Sequence, residues 1–378
     1  MNRRSTTPSI AVVLTGVLMT LTANSSAQQW SHTGPLPRLG SSAVLDIGSN
    51  KTILFGGTAS QLNDAGRNLA DVWWLSNTGG SGLIWTTTSI GGSRPAPRNG
   101  HSAVYDPGSN RMIIFGGGLG YASPCSNDVW ALSNANDTSG APAWTRLNPS
   151  GTPPPPRLRH AAVYDTTTNT MIIYGGNDCF SARYGDVWIL THANGLDGTP
   201  TWTQLSPIGS APPGRQSASA VYDPASNRMI IYGGEEGLPS LDGNVWVLTN
   251  ANGTGGTPGW IELSISGTIP PARELQSAVY DSVNNIMTVF GGLNESGQSL
   301  NDLWTLSGAN GIGVSEWTAL NPALTLGPVP TYEHNAVYNP SSNKMTVLGG
   351  IGTVFTIQGT PADVVLEDVW TVNHANGQ

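Results

Sequence analysis

Charge is scarce in these 378 residues: Asp, Glu, Lys and Arg make up 11% of the chain, against about 25% in an ordinary soluble domain. No dense basic cluster is present, which excludes the positive stripe that duplex nucleic acid requires. No apolar run is long enough to span a bilayer. The best candidate, Ile10 to Leu21, is twelve residues diluted by threonine and glycine, whereas crossing about 30 Å of hydrocarbon takes about twenty. Cysteine occurs twice, at Cys125 and Cys179. Low charge does not mean disorder here, because 13 Trp with many Val, Ile and Tyr can fill a core. The polar surface falls to Ser, Thr and Asn, which suit loops.

The same apolar stretch follows Arg3 and Arg4 and precedes the small residues Ser25, Ser26 and Ala27. That order is the order of an export signal. The expectation is a signal peptide over residues 1–27, a single domain over residues 28–378, and a secreted or periplasmic location. Cleavage removes two arginines and no acid, so the formal charge moves from −8 to −10.

Internal repetition is the strongest signal in the remainder. Ala-Val pairs beginning at Ala43, Ala103, Ala162, Ala220, Ala278 and Ala336 recur at intervals of 60, 59, 58, 58 and 58 residues. Each is followed by a di-glycine, from Gly56-Gly57 to Gly349-Gly350, and then by Trp73, Trp130, Trp188, Trp246, Trp304 or Trp370. In the second unit a short strand leads into the turn Asp106-Pro107-Gly108-Ser109-Asn110, and a β-rich strand follows through Ile113, Ile114 and Phe115. Two further apolar strands centre on Trp130 and Trp144.

A sheet of four such strands has two apolar faces and cannot cover either alone. Stacking six sheets radially buries each face against a neighbour. The chain ends favour a ring: the last unit stops without its fourth strand, while a strand-like segment around Trp30 precedes the first unit. The sequence therefore predicts an all-β, six-bladed β-propeller with four-stranded blades, closed by its N-terminal strand, which satisfies the open edge of the last blade.

The di-glycine, the aromatic or apolar residue after Ala-Val, and the widely spaced Trp pair resemble the Kelch repeat over residues 28–378. The resemblance implies a Kelch-type propeller and leaves activity open, because Kelch-like propellers include enzymes and binding proteins. The period exceeds the usual length of about 50, with the excess in loops.

Repeated residues read first as scaffold. The glycine pairs permit tight backbone paths, and the Asp of the Asn-Asp-Val-Trp motif, at Asp71, Asp128, Asp186, Asp302 and Asp368, recurs in five units, with Asn244 in the sixth. The Trp positions suit packing between sheets. Candidate ligand residues fall on the face that carries the unlike loops 58–70, 118–127, 177–185, 235–243, 293–301 and 351–367. Arg38, Arg98, Arg157, Arg215 and Arg273 each stand five residues before the repeated Ala. They can form a ring that grips carboxylates or sulfates, or they can bind backbone carbonyls and the acids of their own blades. Thr331 breaks the series, with Glu333 and His334 beside it. His101, His160 and His334 share another register, but equivalent residues of different blades need not meet about 2.1 Å from one ion; neither metal nor cofactor is expected. Cys125 and Cys179 fall in corresponding loops of adjacent units, which predicts a disulfide over the alternatives of free thiols or a metal site.

These readings predict a secreted binding or scaffold module that recognises an acidic small molecule, an anionic glycan or a protein segment, with no nucleic acid and no membrane span. The alternative is a carbohydrate-active enzyme. Among Kelch-like enzymes, copper radical oxidases need a Cys-modified Tyr and copper ligands that find no match here. A chain similar to the sialic acid mutarotases would orient an acidic sugar on the arginines while Glu274 or Glu333 exchanges a proton.

Overall fold

The computed structural model describes residues 34–61, 64–77, 82–120, 123–237, 240–320, 327–355 and 360–378. The expected signal and the expected closing strand around Trp30 lie outside the described residues. Every regular element among the described residues is a strand, and none of them forms a helix long and apolar enough to cross a membrane.

Each sequence repeat folds as its own antiparallel sheet. In the second unit Ser102–Asp106 pairs with Arg111–Gly118, which pairs with Cys125–Ser133, which pairs with Ala143–Leu147. The first turn works as its composition demands. Asp106 accepts from the Gly108 amide at 3.1 Å, and Asn110 takes a left-handed φ of 52°, which Asn tolerates better than most residues. The first, third, fourth and fifth units follow the same strand order. In the sixth, Asn335–Asn339, Lys344–Leu348 and Val369–Asn373 pair as three strands among the described residues.

The apolar core lies between sheets. Side chains alternate along a strand, so the second strand of unit two sends Met112 and Ile114 against Ile53 and Phe55 of unit one, and Ile113 and Phe115 against Met171 and Ile173 of unit three. That double burial explains why these strands are continuously apolar. The pattern repeats between units three and four, four and five, and five and six. Aromatic rings finish each contact: Phe55 meets Trp144 of the next unit with centroids 5.0 Å apart, and Phe115 meets Trp202 at 5.0 Å. These sheets stacked face to face form a β-propeller.

Several connections expected as loops are hairpins. Thr58–Gln61 pairs with Asp64–Asn68, Glu235–Gly237 with Ser240–Leu241, and Ile351–Phe355 with Pro361–Val365. In unit five the inner hairpin simply continues past the di-glycine, turning at Gly297, whose amide donates to the Asn294 carbonyl at 2.8 Å. These extensions pair their own backbone groups, so longer connections do not leave donors unsatisfied.

Candidate functional site

The five candidate arginines are scaffold in this structure. Arg38 is 3% exposed, and Arg98, Arg157, Arg215 and Arg273 are sealed from solvent. Arg157 is typical: its Nε donates to the Pro155 carbonyl, Nη1 to the Gly175 carbonyl, and both terminal nitrogens to Asp186, at 2.7 and 2.9 Å. Asp186 also accepts from the Trp188 indole at 2.7 Å. One bidentate ion pair thus ties together the arginine register, the first glycine of the pair, the repeated Asp and the repeated Trp. Arg38, Arg98 and Arg273 repeat it with Asp71, Asp128 and Asp302. The anion-gripping ring expected from these arginines is therefore replaced by internal ion pairs, because each guanidinium is already taken by the acid of its own unit. Burial alone would raise the Asp128 carboxyl, but Arg98, Ser126 and Trp130 outweigh it and hold it at about 2. In unit four, where Asn244 breaks the series, Asp242 pairs with Arg215 and receives Trp246 Nε1, with Glu236 completing the contact at 2.8 Å.

The histidine register is also structural. His101, His160 and His334 each bond through Nε2 to a serine hydroxyl of the preceding unit, at 2.7, 2.7 and 2.8 Å. Their rings lie edge-on to Phe55, Phe115 and Phe290. Burial, followed by the Arg157 charge, pushes His160 down to about 3, and burial pushes His334 to about 4. Among the described residues no group of three or more His, Cys, Asp and Glu is arranged to hold a metal ion.

Two residues after each arginine register, the chain does something the repeats did not advertise. Gly40, Gly100, Arg159, Ser217, Leu275 and Glu333 all adopt φ between 53° and 59°. Four of these are not glycine and hold a conformation that costs an L-residue about 1 kcal/mol or more. Their backbones are linked in series: Gly100 N donates to Gly40 O, Arg159 N to Gly100 O, Ser217 N to Arg159 O, Leu275 N to Ser217 O and Glu333 N to Leu275 O, at 2.7–3.1 Å. The conformation turns one residue of every unit inward.

All six line a single cavity of about 460 Å³, within the usual size of small-molecule pockets. Arg159 and Glu333 stand three places apart in this order of six, and they form an ion pair across the cavity. Arg183 adds a second cation, bound 2.7 Å from Glu235, which also accepts from Gln216 Nε2 at 2.7 Å. Glu274 lies close by; burial raises its carboxyl, Glu235 and Glu333 add to the rise, and Arg159 and the Ser217 hydroxyl oppose it. Of the sequence candidates, Glu333 and His334 reach this cavity and the five arginines do not line it. Arg159, Arg183, Gln216 and Ser217 were missed. For Arg159 and Ser217 the signal was variation: their register reads Gly, Gly, Arg, Ser, Leu, Glu, two residues after an arginine that recurs in five of the six units.

Cys125 and Cys179 are joined as a disulfide with Cα atoms 5.5 Å apart. The bridge ties unit two to unit three at the cavity, where Cys179 and Phe180 line the wall.

The KLHDC2/KLHL20/DRC7 Kelch-repeats domain model matches residues 12–196. The chain belongs to the Kelch-repeat family. In units one, two, three and five the repeated Arg, the first glycine of the pair, the repeated Asp and the repeated Trp meet in one cluster. Similar proteins include an F-box/kelch-repeat protein of Arabidopsis thaliana, 27% identical over 72% of this chain and 58% of that protein. Human host cell factor 1 is 30% identical over 70% of this chain and 12% of its own length. The chain therefore matches only part of these longer relatives. A solved structure titled "Structure of YjhT" superposes with a TM-score of 0.57 over 90% of this chain and 99% of that one, at 15% identity, a likeness of fold.

Proposed function

We propose that this Kelch-repeat chain is a secreted six-bladed propeller, closed by its N-terminal strand, that works as a binding module through the cavity at its axis. The observation that carries the docking role is the set of six equivalent backbone positions: two are Gly and the other four present unlike side chains, Arg159, Ser217, Leu275 and Glu333, to one 460 Å³ space. A scaffold without a ligand has no need to hold Arg159, Ser217, Leu275 and Glu333 in a strained conformation pointing at a common cavity. Strain of this kind clusters where a surface is organised for recognition.

Closure is supported from both ends of the chain. Gly350 N donates to Arg38 O at 3.2 Å, repeating between the last and first units the bond Gly57 N makes to Arg98 O. Asn335 donates to Ser41 at 2.8 Å across the same junction. Trp144, Trp202, Trp260 and Trp317 each meet, tilted or edge-on, the aromatic ring that ends the second strand of the preceding unit. Phe290 holds the corresponding place in unit five, and Trp30 is the residue the chain order offers it.

The docking role is tested by ligand-observed NMR with a panel of neutral, cationic and acidic sugars and capped amino acids. The panel is run against the native chain and Leu275→Trp, which fills the cavity from an already left-handed position. Binding by the native chain and its loss in the variant, with an unchanged melting profile, is the expected result. Equal binding to both proteins would move the site elsewhere.

A further inference from the structure

Each unit from the second to the fifth has its outermost strand covered by the connection that leads into it. Gly91–Gly92 runs parallel to Ala143–Trp144 in unit two, and Ile265–Gly267 to Ser315–Trp317 in unit five. In units three and four the cover narrows to one bridge, Ser150 with Thr201 and Ile208 with Gly259, and the Trp202 and Trp260 amides donate outward to Ser150 O and Ile208 O at 3.0 and 2.9 Å. The cover has a mark in the sequence. Seven residues after Trp85, Trp144, Trp202 and Trp260 stand Gly92, Gly151, Gly209 and Gly267, where a Cβ would crowd the carbonyl of the covered Trp.

Unit one departs from this pattern. Its outermost strand, Leu83–Thr86, pairs with Val72–Asn77 on the inner side and with no described residue on the outer side. Trp85 faces Leu75 as Trp202 faces Leu190 and Trp260 faces Leu248, so its amide and carbonyl point outward. With Trp30 in the closing strand, seven residues separate it from Arg38, against twelve in each of the four covering connections, and the seventh residue after it is Pro37. Closure leaves no chain for a cover. Nor is the edge blunted by charge or proline, the usual means: neither occurs from Val72 to Ser93, and Leu83 and Ile84 are 41% and 43% exposed. The matching strands of units two, four and five hold Arg146, Glu262 and Glu316.

Resting on closure of the ring by Trp30, we propose that this edge binds a second copy of the chain, which adds the same strand antiparallel across a two-fold axis. Centred on Trp85, the pairing sets Trp85 against its own copy as the hydrogen-bonded pair, Ile84 against Thr86 and Leu83 against Thr87. Strand-forming residues then cover both exposed aliphatics. The occupant is a second copy because a chain of formal charge −8 repels itself over most of its surface, whereas this uncharged run meets its copy with no like charges opposed. A charged foreign strand would find no countercharge here. So short an edge buries less than the roughly 1,200 Å² of a standard interface, and the dimer therefore forms at micromolar concentration.

Sedimentation velocity of the full chain over a micromolar concentration series tests this, with a reversible shift from monomer to dimer as the expected result. Ile84→Lys places a charge on an exposed position and should weaken the dimer at least tenfold with an unchanged melting profile. The double variant Ile84→Cys, Thr86→Cys opposes two cysteine pairs with Cα atoms about 4.5 Å apart, within reach of a disulfide, and should cross-link two copies on mild oxidation. Thr201→Cys with Thr203→Cys, at the matching positions of unit three, should not, because that edge is covered. If the lysine variant folds poorly, the cross-links decide. A dimer that Ile84→Lys leaves intact, or cross-linking equal in the two cysteine variants, overturns the proposal. So does a native chain that stays monomeric, and amide exchange at Trp85 then separates the two readings. Rapid exchange leaves closure standing, whereas protection that disappears when Gln28–His32 is removed puts that segment on unit one, and closure falls as well.

Discussion

Arg157 has no exposed surface, yet every polar hydrogen direction it uses finds an acceptor within its own unit. Removing one partner of a buried pair leaves the other charged and dry, a loss of about 3–5 kcal/mol. Asp186→Asn keeps the shape and removes the charge, so urea denaturation should reveal a destabilisation of about 3 kcal/mol; an unchanged midpoint would remove the ion pair from the account. The histidines give the acid response its shape. His160 is held at about 3 in the folded chain, against about 6.5 when unfolded. The unfolded state therefore gains the proton first, and this contribution to stability is present above about pH 6.5 and lost as pH falls toward 3. Asp128, held at about 2, adds a second loss below about pH 4. His160→Gln, which copies the natural Gln276 of unit five, should make the first decline shallower, with His101 and His334 still contributing to it, and leave the second. A melting temperature that still falls between pH 6.5 and 5 to the same extent would contradict this assignment. At this scale the sequence was half legible. The arginine register and the repeated Asp were each visible, but not that they are partners, because 29 residues of hairpin separate Arg157 from Asp186. Asp242 was invisible for a related reason: it performs the role from two residues outside the repeat register.

Between sheets, the repeats agree on how one unit meets the next, except where the last meets the first. Met112, Met171, Met229, Met287 and Met345 are fully buried against the preceding sheet. Unit one has Thr52 in that place, beside a cavity of about 170 Å³ shared with Val337, Thr346 and Thr371 of unit six. The polar latch differs there too: Asn339 Nδ2 donates to Asn50 Oδ1 of unit one at 3.2 Å. Asn136, Asn194, Asn252, Asn310 and Asn376 each donate to the turn Asp of the preceding unit, at 2.7–2.9 Å. At the last junction Asn339 stands in the Asp position and Gly79, outside the described residues, in the Asn position. Both members have changed together, so neither is left without its usual partner. Thr52→Met fills the cavity with the side chain every other unit uses, and should stabilise the chain by about 1 kcal/mol in chemical denaturation. A destabilised variant would mean that the junction is packed on different terms from the other five. In the first five units the four core strands were readable from apolar runs and turn chemistry. The hairpin at Thr58–Gln61 was not, because its Thr-Ala-Ser-Gln sequence carries no apolar periodicity.

Across the whole molecule, repetition builds a scaffold and its exceptions build a site. Glu333 belongs to unit six and Arg159 to unit three, so their ion pair across the cavity depends on units far apart in the chain being brought round to face each other. The sequence revealed the repeat because it is periodic. It hid the pocket because a cavity assembled from one residue per unit, at 58- to 60-residue spacing, has no local motif. The axial site exists only if the ring closes, which makes closure the claim on which the rest depends. Amide hydrogen exchange of Val369–Asn373 measures it directly, comparing the full chain with one lacking Gln28–His32. One edge of that strand bonds Lys344–Leu348. The account predicts that the amides on its other edge are also protected in the full chain and exchange rapidly once the segment is removed. Equally rapid exchange of those amides in both proteins would contradict it.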